Sequence, residues 1–170
     1  PRDGRTVVLF APTWEGDRDA AAYGSIASHG VTLVRELLAT GRHRVIYRPH
    51  PRSGVVDSEY GAANRAIIDA IARANAADPA AQHIFDDGPS LGWQLAAADV
   101  AITDISAMVY DRLATGKPLI VTRPVSASAE VDETGYLGAC EWLTADAAGE
   151  IVAIADAVEF DAEAQKRLKF

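Results

Sequence analysis

Apolar positions recur along the chain in two alternating rhythms. Residues 6–11 (TVVLFA) form a short run that is apolar on both faces and ends at Pro12, the pattern of a strand buried inside a parallel sheet. Similar runs predict strands at 44–47 (RVIY), 83–85, 100–103 and 118–122. Between them the spacing changes to that of helices. Positions 31, 33, 34, 37 and 38 make a helical stripe, with Gly41 as the stop. Ile67, Ile68 and Ile71 mark a second helix over 59–77. Further helices are predicted at 89–98, opened by Pro89 at its first turn, and at 105–114, 145–157 and 161–168. Residues 13–28 show no clear period and read as a loop with room for a helical turn. The least regular stretch is 123–138.

Strands alternating with helices imply an α/β fold: a Rossmann-like open parallel sheet with helices on both faces. No repeat, low-complexity tract or linker interrupts the 170 residues, so a single domain is expected. The chain begins at Pro1, which fits a piece of a longer protein.

Composition narrows the function. A formal net charge of −8 argues against a general nucleic-acid binder, which needs a net basic face. No apolar run is long enough to span a bilayer, and no signal peptide is visible. Cys140 is alone, so an intrachain disulfide and a cysteine metal cluster are both excluded, and a reducing cytoplasmic setting fits. His29, His43 and His83 show no metal-ligand spacing.

Ligands of open α/β sheets bind beyond the carboxyl ends of the strands, so the residues just after each strand are the candidates. After the second strand comes RPHPR, residues 48–52. Two prolines stiffen the backbone around His50. Arg48 and Arg52 add positive charge, so the group can donate to a phosphate and offset charge on a leaving group. The competing reading is a Pro-rich turn with solvated arginines. After the fourth strand, Asp104 or Ser106 can cap the following helix, and the amides beside Ser106 can hold an anion. Plain capping is the competing reading. Asp104 is expected to be structural or to orient His50, because two anions repel. Asp111 suits a ribose hydroxyl, or a surface pair with Arg112 or Lys117. After the first strand stand Thr13 and Trp14, and Trp14 suits either a base or acceptor pocket or simple packing. Asp86 and Asp87 read as turn residues.

These motifs resemble the CDP-glycerol glycerophosphotransferase family, the teichoic acid polymerases of GT-B architecture. The resemblance rests on APTW at 11–14, RPHPR at 48–52, LAAADVAITDISAMVYD at 95–111 and GKPLI at 116–120, in family order across roughly residues 5 to 125. It implies the C-terminal half of a GT-B fold that binds the CDP part of CDP-glycerol. It implies that His50 contacts the pyrophosphate and is needed for activity. The turn Thr103–Ser106 and the amide of Ala107 would hold phosphate, with no metal or other cofactor. The acceptor polymer and a second catalytic histidine would belong to an N-terminal domain outside this chain. The full-length protein would then sit peripherally on the inner face of the cell membrane. Ala107 stands where the family usually carries a second serine, a loss of one hydrogen bond of about 0.5–1.5 kcal/mol. That leaves glycerol, ribitol or a sugar open as the donor's cargo.

Three rival functions remain. A GT-B glycosyltransferase would use UDP or another nucleotide sugar. A receiver-like regulatory domain would use Asp104 as phosphoacceptor with Lys117, although Pro12 and Thr13 stand where it needs an acidic pair. A non-catalytic interaction module would need no ligand site.

Overall fold

The computed structural model of the protein describes residues 3–161. Six parallel strands, β1 (Thr6–Ala11), β2 (His43–Tyr47), β3 (Ile84–Phe85), β4 (Val100–Thr103), β5 (Leu119–Thr122) and β6 (Glu141–Leu143), form one sheet in the order β3-β2-β1-β4-β5-β6. Among the described residues there are five α-helices, four between strands and one after β6: α1 (Val31–Ala39), α2 (Ser58–Ala77), α3 (Trp93–Ala97), α4 (Ala107–Leu113) and α5 (Ile151–Phe160). The expected Rossmann-like fold is therefore present.

Alternation along each strand divides the core into two layers. Val8, Phe10, Val45, Tyr47, Val100 and Ile102 face α1, α2 and α5. Leu9, Ala11, Ile46, Ala101, Leu119 and Val121 face α3 and α4. β1 is buried from Val8 to Ala11, with β2 and β4 paired along its two edges, which explains its apolar run.

Several expectations need correction. The sheet has a sixth strand: β6 pairs with β5 through Ile120↔Glu141, Val121↔Trp142 and Thr122↔Leu143. Its three residues include a charged one, so no apolar run announces it. α3 does not start at Pro89. Gly92 has φ 113°, which no helix interior accommodates, so the helix begins after it. The preceding turn is held instead by the Asp86 carboxylate, which accepts from Gly88 N and from the Gln94 amide. The loop expected at 13–28 gives way at its end to a π-helical turn, Ile26–Gly30, that runs directly into α1. The C-terminal helix spans Ile151–Phe160, following a 3-10 turn at Ala148–Glu150. The helix expected at 161–168 lies outside the described residues from 162 on. Among the described residues no helix is long and apolar enough to cross a membrane.

Arg112 is the largest departure from expectation. It is fully buried, and among the described residues it makes no ion pair with Asp111 or another carboxylate within 4 Å, although the Asp99 charge acts on it. Its guanidinium donates to Leu95 O at 2.6 Å, Ala98 O at 3.1 Å, Asp99 O at 2.8 Å and Pro118 O at 3.0 Å. Lys117 likewise turns to main chain, at Ala96 O and Ala98 O.

Three buried histidines set a pH dependence. Burial lowers the pKa of His29, His43 and His83 below the ordinary 6.5. The unfolded chain therefore takes up protons first as pH falls through 6.5, and stability drops with up to about 1.4 kcal/mol per pH unit for each histidine. Asp104 acts in the opposite sense, because burial raises its pKa from 3.8 to about 6 and the folded state then binds its proton first. As pH falls, proton uptake by the unfolded histidines, centred near 6.5, begins before that of Asp104 in the folded state. Urea midpoints are expected to fall between pH 7 and 5, and a midpoint that rises over this range contradicts the assignment.

Candidate functional site

Beyond the carboxyl ends of β1, β2 and β4 lies a cleft of about 350 Å³. Its walls are the three loops that follow these strands: Ala11–Thr13, Arg48–Pro51, and Ser106–Met108 with Asp111 and Leu91. The strand order reverses between β1 and β4, so the cleft sits at the switch point of the sheet.

The phosphate candidates from two distant motifs meet here. His50 and the Ser106–Ala107 turn line the same cleft. His50 Nδ1 accepts from Arg52 N at 3.1 Å, so the neutral ring carries its proton on Nε2. Burial and the Arg52 cation lower the His50 pKa, against the opposing Glu15 carboxylate. At neutral pH the group is therefore a neutral donor through Nε2. Ser106 caps α4, its Oγ accepting from Met108 N at 3.2 Å. Ala107 opens that helix and is exposed on the cleft wall.

Arg48 lines the cleft with its charge already paired: Nη1 lies 2.5 Å from Asp86 Oδ2, and Nη2 donates to Gly88 O. Arg52 stands beside the cleft with its guanidinium 3.9 Å from the centre of the Trp14 ring. The same indole stacks on His50, with ring centres 6.4 Å apart. Trp14 thus packs on the chain's own residues. Asp111 is exposed and lines the cleft, away from Arg112 and Lys117.

Thr103 and Asp104 lie beneath the cleft and are fully buried. Thr103 Oγ1 has no hydrogen-bond partner among the described residues. Asp104 precedes α4, which begins at Ala107. Its carboxylate accepts from Thr13 N at 2.8 Å, Ser25 N at 3.1 Å and Thr122 Oγ1 at 2.5 Å. It fastens the loop after β1 to the ends of β4 and β5, and forms no bond to His50. A carboxylate so enclosed is no phosphoacceptor, and Lys117 is occupied elsewhere, which removes the receiver reading.

Two groups escaped the sequence reading. Glu15 accepts from Gly54 N at 2.9 Å, Val56 N at 2.8 Å and Asp57 N at 3.0 Å. Burial alone would raise its pKa, but these main-chain donors outweigh burial and hold it below the usual value. Nothing local marks Glu15, because its partners lie 39 to 42 residues away. Tyr60 donates to Thr13 O at 2.7 Å and accepts from Ile26 N at 3.3 Å. Its place seven residues before Ile67, on the same helical stripe, was the available signal. The loop also meets α2 directly: a Cβ added to Gly54, at φ 84°, would fall 2.4 Å from Gly61 Cα. Among the described residues no group of three His, Cys, Asp or Glu side chains could hold a metal ion.

Solved structures share this fold. A trehalose-phosphate synthase from Burkholderia vietnamiensis superposes with a TM-score of 0.65 at 13% identity, over 98% of this chain and 39% of that one. The E. coli protein bound with UDP-2-fluoro glucose gives 0.61 at 13% identity, over 97% and 40%. The C-terminal CMP-Kdo binding domain of WaaA from Acinetobacter baumannii gives 0.54 at 15% identity, over 98% and 86%. The chain thus spans about two fifths of the trehalose-phosphate synthases it matches. Comparison with curated proteins gives no match. Residues 1–125 match the family described as CDP-Glycerol:Poly(glycerophosphate) glycerophosphotransferase, and the chain belongs to that family of transferases.

Proposed function

We propose that this chain is the donor-binding domain of a two-domain enzyme that transfers glycerol phosphate, or a related polyol phosphate, from a CDP donor to a cell-envelope polymer such as teichoic acid. The observation that carries this reading is the shared cleft. His50 and the Ser106–Ala107 turn face one hollow of about 350 Å³, a volume suited to a nucleotide-sized ligand. The diphosphate lies between them. His50 Nε2–H donates to it from one wall, and Ser106 with the amide of Ala107 from the other. Arg48 faces the same space, Arg52 and Trp14 hold His50 in place, and Asp111 is set for a ribose hydroxyl. Thr13 lines the cleft, the buried Asp104 carboxylate holds the Thr13 amide, and Thr103 stands next to Asp104 at the end of β4.

In the reaction an acceptor hydroxyl attacks the β-phosphorus. Its bond to the bridging oxygen breaks, and CMP leaves with the electron pair. The hydroxyl proton passes to a base on the acceptor-binding domain, which is not in this chain. His50 stabilises the charge that develops on the departing phosphate. The full-length protein works at the inner face of the cell membrane through segments outside this chain, and no metal or other cofactor takes part.

Calorimetric titration with CDP-glycerol, CDP, CMP and UDP tests the reading. The cytidine diphosphates are expected to bind and to raise the melting temperature, since a ligand selective for the native state stabilises it. Absence of binding by all four sinks the proposal. Tighter binding of UDP than CDP transfers the site to a nucleotide-sugar donor.

A further inference from the structure

The loop that carries His50 is held in an unusual way. Its tip is not anchored by apolar burial, because Val55 and Val56 are 68% and 61% exposed. What holds it is its main chain, and the partners of six successive N–H groups can be named. Arg52 N donates to His50 Nδ1, Ser53 N to His50 O and Val55 N to Arg52 O. The other three, on Gly54, Val56 and Asp57, all go to the Glu15 carboxylate. Local turns thus satisfy half of the segment and one side chain from the β1 loop satisfies the rest. Trp14, next to Glu15, adds its ring beneath the Arg52 guanidinium.

We propose that Glu15 is a positioning residue for His50: by clamping the amides of residues 54, 56 and 57 it keeps Arg52 N on His50 Nδ1, and so keeps the imidazole proton on Nε2. This rests on the placement of His50 against the donor diphosphate, and it adds what fixes the tautomer there. The chain of cause is short. Without the carboxylate, three amides lose their acceptor and turn toward water. The turn spanning residues 52–55 loosens, Arg52 N leaves Nδ1, and the neutral ring becomes free to carry its proton on either nitrogen. A ring with its proton on Nδ1 presents an acceptor at Nε2, which repels a phosphate oxygen.

Imidazole nitrogen NMR on the ligand-free chain reads this directly, with the His50 signals identified by their loss in His50→Ala. The expected wild-type pattern is a pyridine-type Nδ1 and a pyrrole-type Nε2. In Glu15→Ala the two nitrogens are expected to shift toward averaged values, while Glu15→Gln, which keeps one accepting oxygen, lies between. CDP-glycerol affinity is expected to fall about tenfold in Glu15→Ala, the scale of one hydrogen bond, and to fall no further when His50→Ala is already present. An unchanged nitrogen pattern in both variants, or a full affinity loss that persists in the His50→Ala background, overturns the inference. If Glu15→Ala does not fold, Glu15→Gln carries the same comparison. Failure of wild type to bind any donor sinks the functional reading alone, because the tautomer is measured without ligand.

Discussion

On the proposed reading, replacing His50 by Ala is expected to lower the transfer rate of the full-length enzyme by about 10²–10³, the usual effect of deleting one preorganised donor to developing charge. The fold should survive, because His50 is exposed and among the described residues its side chain bonds only to the Arg52 amide two positions on. Wild-type-like melting of the variant separates the chemical loss from unfolding. The pH dependence gives an independent check. Burial and Arg52 hold the His50 pKa below its ordinary 6.5, so the ring is neutral above that value and donates from Nε2 without a charge. The His50-dependent part of kcat/KM, which reports the free enzyme, is therefore expected to stay level from pH 6.5 to 8. A cationic His50 would instead lose its contribution as pH rises through this range. A steady decline that disappears in His50→Ala would contradict the neutral-donor assignment.

The second large effect concerns stability. Arg112→Leu is expected to destabilise the domain by about 3–5 kcal/mol, because interior carbonyls lose their donor and each unsatisfied group costs about 1–3 kcal/mol. The four acceptors come from α3, from the turn into β4 and from the residue before β5. One guanidinium therefore joins three segments of the α4 side of the sheet. Burial lowers its pKa to about 10, so it remains protonated at neutral pH and serves all four carbonyls as a cation. Arg112→Lys should recover little, since an ammonium cannot reproduce the planar fork. Thermal melting measures both variants, with a fall of roughly 10 °C expected for Leu. A shift of only a degree or two would mean that water can replace these bonds.

The regular parts of this fold were legible because their sequence signals are local. β1, β2, β4 and β5 are apolar runs, and α1 and α2 carry stripes at helical spacing. β6 was not legible: three residues with Glu141 at the start offer no pattern, and only pairing with β5 makes them a strand. Arg112 reads as a surface charge beside Asp111, because the sequence does not show that four carbonyls converge on it. The candidate site divides along the same line. Strand ends identified His50 and Ser106, and the switch point of the sheet brings them into one cleft. Arg48 paired with Asp86, and Glu15 bound to the amides of residues 54, 56 and 57, depend on contacts 38 to 42 residues apart. No local rule reaches that far.

The contact between Gly54 and Gly61 has a mechanical consequence. Main chain rests on main chain there, with no side chain between to tilt or compress. At this point the segment bearing His50 already lies against the main chain of the 20-residue α2, so a side chain at position 54 would push the segment off the helix.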